Sequence, residues 1–191
     1  MSHTTQLSIG ENLPYRPNVG AMIFNPQGRI FIARRADIKP HNQAVSHAPK
    51  GVPVETEIWQ CPQGGIDAGE KAQDAVIREV FEEIGTRQVR ILGEHTEWIS
   101  YDLPTHLIGV ALKGQYRGQR QKWFALLYTG DGSDIRLDTQ PYQEFDAWRW
   151  IDLPSLPHQK VGFKKPVYER LVHDFAHYVH DAQTYHTRIK P

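Results

Sequence analysis

At 191 residues the chain can bury one sizeable core, and 39% hydrophobic, 10% aromatic and 23% charged residues exclude a disordered protein. Lys+Arg and Asp+Glu both number 22, so there is no overall basic field to hold DNA or RNA non-specifically, and any nucleic-acid contact needs a local patch. The one cysteine, Cys61, excludes an intramolecular disulfide and suits a reducing compartment.

Residues 1–14 are polar, lack a basic segment followed by an apolar run, and are expected to form a flexible tail. No stretch approaches the roughly 20 apolar residues of a membrane span, so a soluble cytoplasmic protein without a membrane partner is expected. Strands are expected at 19–24 and 29–35, joined by the turn "NPQG". Residues 37–57 hold three prolines and little periodicity, and read as an inserted loop. Further strands are expected at 89–92, 96–101, 107–112, 121–128 and 145–151. Pro166 opens a final helix, in which Val167, Leu171, Phe175 and Tyr178 form an apolar stripe. His173, His177 and His180 share its i, i+4, i+7 spacing and read as a solvated face. The pattern is that of a single α/β (α+β) domain over 15–181 with a C-terminal tail at 182–191.

The most informative stretch is "QGGIDAGEKAQDAVIREVFEEIGTR", residues 63–87. Gly64 and Gly65 suit a sharp turn and the close approach of a phosphate or ion. Asp67 with Glu70 has capping-box spacing, Lys71 with Asp74 offers a later helix start, and Gly85 is a natural stop. Val76, Ile77, Val80, Phe81 and Ile84 cover one side of the helix, with Glu79, Glu82 and Glu83 in an arc of roughly 100° beside them. Arg78–Glu82 and Glu83–Arg87 are possible i,i+4 pairs, but Glu79 has no cation at either i±4 position. Helix arithmetic alone leaves a solvated face and a cation site equally open.

The wider spacing discriminates between them. Gly64, five residues, Glu70, seven residues, then Arg78-Glu79-Val80-Phe81-Glu82-Glu83-Ile84-Gly85 resembles the Nudix box over 64–86. Seven fixed letters match, a coincidence on the order of 10⁻⁶ at average residue frequencies. Thr86 departs from the aliphatic residue usual there. The resemblance implies a Nudix fold, an α/β/α sandwich around a mixed sheet. It also implies a divalent metal cofactor, Mg²⁺ with Mn²⁺ or Zn²⁺ as alternatives, held by Glu79, Glu82 and Glu83 at Gly64, with Arg78 orienting the carboxylates.

A longer resemblance runs from about Tyr15 to Phe175 through "YRPNVG", "ARR", "WQCPQGGID", "GQRQKWF", "EFDAWRW" and "GFKKPVY". These segments are similar to the bacterial RNA 5′-pyrophosphohydrolase branch, also described as diadenosine polyphosphate hydrolases. The similarity implies that Glu144 is a further metal ligand. Arg16 and Arg35 would contact the phosphates and RNA end, while Gln119, Phe163, Lys164 and Tyr101 would contact the leading nucleotides. An aromatic flanked by lysine suits base stacking beside phosphate, whereas Trp148 and Trp150 on a strand read as core. The implied activity is attack of water on the β-phosphorus of 5′-triphosphorylated RNA, releasing pyrophosphate and a 5′-monophosphate that promotes transcript decay. Dinucleoside polyphosphate hydrolysis is the alternative, and a non-catalytic nucleotide-binding module is disfavoured by the intact glutamates. No DNA partner is expected, and a monomer is favoured.

Overall fold

The structure, a computed structural model, describes residues 12–37 and 57–189, with side chains described to residue 185. Almost all of the expected 37–57 loop and most of the 1–14 tail lie outside them. No helix among the described residues is long and apolar enough to cross a membrane.

The sheet is organised around β1 (Tyr15–Phe24) and β6 (Gly118–Tyr128), parallel from Tyr15↔Gly118 to Phe24↔Leu127. The other pairings are antiparallel. β5 (Val89–Asp102) borders β6, while β2 (Ile30–Arg35) and β4 (Gln63–Gly65) share the opposite edge of β1. β3 (Trp59–Gln60) and β7 (Phe145–Ile151) flank β2. α1 (Ala72–Ile84) covers one face, and α2 (Lys165–Asp174) with α3 (His177–Ile189) covers the other. β1 is apolar at successive residues because both faces are buried: Val19, Ala21 and Ile23 meet α1, and Met22 and Phe24 meet the other layer. This is the expected mixed-sheet sandwich.

Several local expectations change. β5 is one strand from 89 to 102, with register shifts between Ile91/Gly93 and Glu94/Trp98. Lys122 fills the second irregularity, donating to the carbonyls of His95 at 2.6 Å and Thr96 at 3.4 Å. Residues 107–112 form turns rather than a strand; Gly109 has a φ of 81° and Leu112 one of 52°, neither compatible with extended pairing. The final helix is two helices, broken after Asp174, yet Val167, Leu171 and Phe175 stay buried on the same core. His173 and His177 therefore sit on different helices; His173 pairs with Asp174 and His177 stacks on Tyr178. α3 runs to Ile189, beyond the expected boundary at 181, with Ala182 in the core.

α1 begins at Ala72 with Lys71 as its N-cap, the later of the two expected starts, and Gly85 ends it in a left-handed conformation with φ of 75°. Thr86 replaces an aliphatic residue because its buried hydroxyl donates to Asp134, which also accepts from Tyr128. Trp148 and Trp150 pack on Phe31 as core. Gly20 lies opposite Trp123 across the β1–β6 pair, and a Cβ there would stand 2.6 Å from the indole. Gly20→Ala is expected to cost about 1–3 kcal/mol, read as a lower thermal midpoint by differential scanning calorimetry.

Candidate active site

Two adjoining depressions open beside β4. The first, of about 150 Å³, is lined by Glu79, Glu82, Glu83, Leu137, Gln140, Tyr142 and Glu144. It brings together the three box glutamates with a fourth carboxylate from the segment before β7. That segment is strapped to the end of α1: the Arg136 amide donates to Ile84 O at 2.8 Å, and Thr139 Oγ1 donates to Glu82 O at 3.1 Å.

Arg78 holds the acidic cluster in shape. It donates to Glu70 at 2.8 and 2.7 Å, Glu79 at 2.8 Å, Glu82 at 3.2 Å and Gly65 O at 2.8 Å. The missing cation for Glu79 is thus its immediate neighbour, which i±4 arithmetic does not include. Glu70 also accepts from the Asp67 amide, and the Arg78 bond followed by that one holds its carboxyl down at about 2. The anticipated Glu83–Arg87 pair does not form: Arg87 lies 3.8 Å over the Phe81 ring, and Glu83 is 7% exposed.

Gly64 and Gly65 serve by close approach, and neither turns in a left-handed conformation. A Cβ on Gly64 would stand 1.9 Å from the Glu79 carboxylate, and one on Gly65 would stand 2.2 Å from Arg16 Nη2. Successive positions on β4 point to opposite faces, so one glycine admits the acid and the next admits the base.

The second depression, of about 340 Å³, has Arg35, Gln60, Gln63, Gln119 and Lys164 on its polar side and Tyr101, Leu107, Leu112 and Phe163 among its apolar walls. Five of the expected substrate-contacting residues therefore meet in one cleft; Arg16 does not line it, and its guanidinium lies against Gly65. Tyr101 and Phe163 are 5.6 Å apart and tilted by 47°, with Phe163 39% exposed. Arg35 joins the two depressions, pairing with Glu144 at 2.9 Å and with Asp37 at 2.6 and 2.8 Å. Sequence reasoning missed Gln60, Gln63 and the turn residues Leu107 and Leu112. The apolar residues of 107–112 carried a signal, read there as a strand.

The acidic pocket suits a hard cation. Glu83 Oε1 is buried without a hydrogen-bond partner among the described residues, while Oε2 accepts from the Gln63 amide at 2.9 Å. Burial, then the charges of Glu144 and Glu79, raise the Glu83 carboxyl well above its ordinary value. Glu79 is also raised, chiefly by burial and against the opposing effect of Arg78. Glu83 makes no ion pair among the described residues, and all-oxygen ligation matches Mg²⁺ or Mn²⁺ better than Zn²⁺. Among the described residues no three metal-type side chains close on one point, as Arg78 draws Glu79 aside and Arg35 draws Glu144.

Comparison with known proteins supplies the family. The NUDIX domain profile matches residues 14–171. The chain belongs to the NUDIX family. It is 58% identical to the RNA pyrophosphohydrolase of Gluconacetobacter diazotrophicus over 167 residues, covering 87% of this chain and 95% of that protein. It is 47% identical to the RNA pyrophosphohydrolase of Agrobacterium fabrum over 170 residues, covering 87% and 95%. Among solved structures, the E. coli dihydroneopterin triphosphate pyrophosphohydrolase superposes with a TM-score of 0.58 at 18% identity, covering 83% and 97%. A C. elegans Ap4A hydrolase binary complex gives 0.55 at 17% identity, covering 87% and 98%; both likenesses bear on the fold alone. The chain is thus a Nudix hydrolase, of a family that generally depends on divalent metal.

Lysine at position 78 would keep the charge but lose the fork that reaches several acceptors at once. Arg78→Lys is expected to lower kcat/KM and metal affinity by about 10- to 100-fold, measured by magnesium titration of turnover. A second prediction concerns Lys164, whose ammonium is brought down to about 7 by burial and then by Arg35, against Glu144 and Glu83. The unfolded chain holds that proton up to the ordinary 10.5, so the burial penalty is complete below pH 7 and fades as pH rises towards 10.5. The thermal midpoint of the wild type is therefore expected to climb relative to that of Lys164→Met across this window.

Proposed function

We propose that this Nudix hydrolase is an RNA 5′-pyrophosphohydrolase, acting on 5′-triphosphorylated transcripts to leave a 5′-monophosphate. The observation that carries this reading is the junction at Arg35 between an acidic pocket and a cleft that combines cations, carboxamides and a tilted aromatic pair. A polyphosphate can lie across the junction with its nucleoside end against Tyr101 and Phe163. The two relatives named RNA pyrophosphohydrolase, matched along nearly their whole length, support this choice of substrate.

In this reading Arg35 and Lys164 bind phosphate oxygens, with Arg16 adding positive charge behind Gly65. Phe163 and Tyr101 present faces for a base. Glu79, Glu82, Glu83 and Glu144 would hold the divalent ions, which would supply charge neutralisation and acidify water when bound. A box glutamate accepts the proton of the attacking water. The new bond forms between water oxygen and the β-phosphorus, the bond from that phosphorus to the oxygen it shares with the α-phosphorus breaks, and the products are RNA 5′-monophosphate and pyrophosphate. Arg78 keeps the carboxylates oriented without touching substrate.

The test compares turnover of a 5′-triphosphorylated oligoribonucleotide and diadenosine tetraphosphate by one preparation in Mg²⁺. RNA is expected to be the better substrate, with pyrophosphate as co-product, and Glu82→Gln is expected to lose on the order of 100-fold or more. Equal or faster cleavage of the dinucleotide would replace RNA by a dinucleoside polyphosphate as substrate. Undiminished activity of Glu82→Gln would remove the acidic pocket from the chemistry.

A further inference from the structure

The cleft has an acid, Asp37, among its lining residues, and the charge of Asp37 alone would repel a polyphosphate. Its geometry gives it another use. Asp37 Oδ1 accepts from Arg35 Nε at 2.8 Å and Oδ2 accepts from Nη2 at 2.6 Å, so one edge of the guanidinium is held by a two-bond fork. Nη1 donates to Glu144 Oε1 at 2.9 Å. Three of the five guanidinium N–H groups are thus used, which leaves two, one on each terminal nitrogen.

The backbone builds this junction. β2 and β7 shift register between Arg34 and Arg35, so that Arg34 pairs with Ala147 and Arg35 with Phe145. A bulge of this kind re-aims the side chains beside it. Arg34 goes to Asp146 at 2.7 Å, and Arg35 goes to Asp37 and Glu144. Between Arg35 and Asp37, the Ala36 amide donates to Glu144 O at 2.8 Å, which ties both acids of the fork to one backbone contact.

The two acids hold Arg35 differently. The double contact with Asp37 fixes the plane of the guanidinium, whereas the single bond to Glu144 can be exchanged without turning that plane. Glu144 also lines the acidic pocket, where a cation would take its oxygens. Arg35, still held by Asp37, would then offer Nη1 to a phosphate oxygen.

We propose that Asp37 is a positioning residue, fixing the Arg35 fork so that Nη1 passes from Glu144 to a substrate phosphate when a cation occupies the acidic pocket. The inference rests on the proposed polyphosphate reading of the junction. It couples cation and polyphosphate binding through Arg35, and that coupling is reciprocal.

The experiment uses the full chain and a 5′-triphosphorylated oligoribonucleotide whose α- and β-phosphorus atoms are joined by a methylene, which removes the scissile bond. Kd for this analogue is read in Mg²⁺ and in EDTA, beside kcat and KM on the ordinary triphosphate. Asp37→Asn keeps the volume and removes the charge. Coulomb's law alone would tighten polyphosphate binding by about twofold in this variant. Positioning gives the opposite sign: Kd in Mg²⁺ and KM are expected to rise about tenfold, with kcat nearly unchanged. The rise in Kd is expected to be smaller in EDTA, where Arg35 stays on Glu144. In an Arg35→Met background, Asp37→Asn should weaken binding no further. A role confined to stability would move the thermal midpoint and leave Kd in place, which overturns the assignment. Tighter binding by Asp37→Asn, or an equal loss in the Arg35→Met background, overturns it as well. An equal loss in EDTA overturns the exchange at Glu144. A wild type that neither binds the analogue nor turns over triphosphorylated RNA overturns the functional reading instead.

Discussion

The site depends on one guanidinium. Four carboxylates within one turn-and-helix unit repel each other, and a solvated face would let them spread. Arg78 instead gathers Glu70, Glu79 and Glu82 and anchors the group to Gly65 O on β4, so the helix and the strand share one polar clamp. The planar fork makes this possible, because a point charge cannot meet acceptors in several directions at once. Glu83, outside the clamp, carries the largest uncompensated burden.

That clamp works only because the backbone beneath it is bare on both sides. β4 pairs with β1 through Asn18↔Gly65 and Val19↔Gly64, which sets the two glycines against the central strand. β1 in turn fixes β6 in parallel register, so Gln119 and Gln121 arrive beside Arg16 and Asn18. Acidic pocket and cleft are consequently two outlets of the same three-strand junction. Gly20 belongs to this arrangement as well, since its missing side chain lets the Trp123 ring lie flat and reach Gln121.

The sequence made the chemistry more legible than its support. Fixed spacing exposed the box, and apolar runs exposed β1, β2, β6, β7 and the buried stripe of α2, because local periodicity records which faces are covered. Residues whose roles arise from contacts distant in sequence stayed hidden. Gln63 and Gln121 are separated by 58 residues and meet at 3.0 Å; nothing in either neighbourhood marks them as partners. The 107–112 segment misled for a related reason: its apolar residues face a cleft, where hydrophobicity has no strand period. The helix break after Asp174 was likewise concealed, because the stripe continues onto the same core across the break.

The distribution of unsatisfied polar groups adds a final physical argument. Among the described residues the buried side-chain atoms without partners are Asn18 Nδ2, Gln60 Nε2 and Glu83 Oε1. Each such group costs about 1–3 kcal/mol, which folded proteins ordinarily avoid. Glu83 lines the acidic pocket and Gln60 the cleft, with the Lys164 ammonium on the Gln60 oxygen, while Asn18 lies on β1 beside Gln121. The two apolar clusters on either side of the sheet carry none. A cation in the acidic pocket and a ligand in the cleft are what would satisfy the Glu83 oxygen and the Gln60 amide.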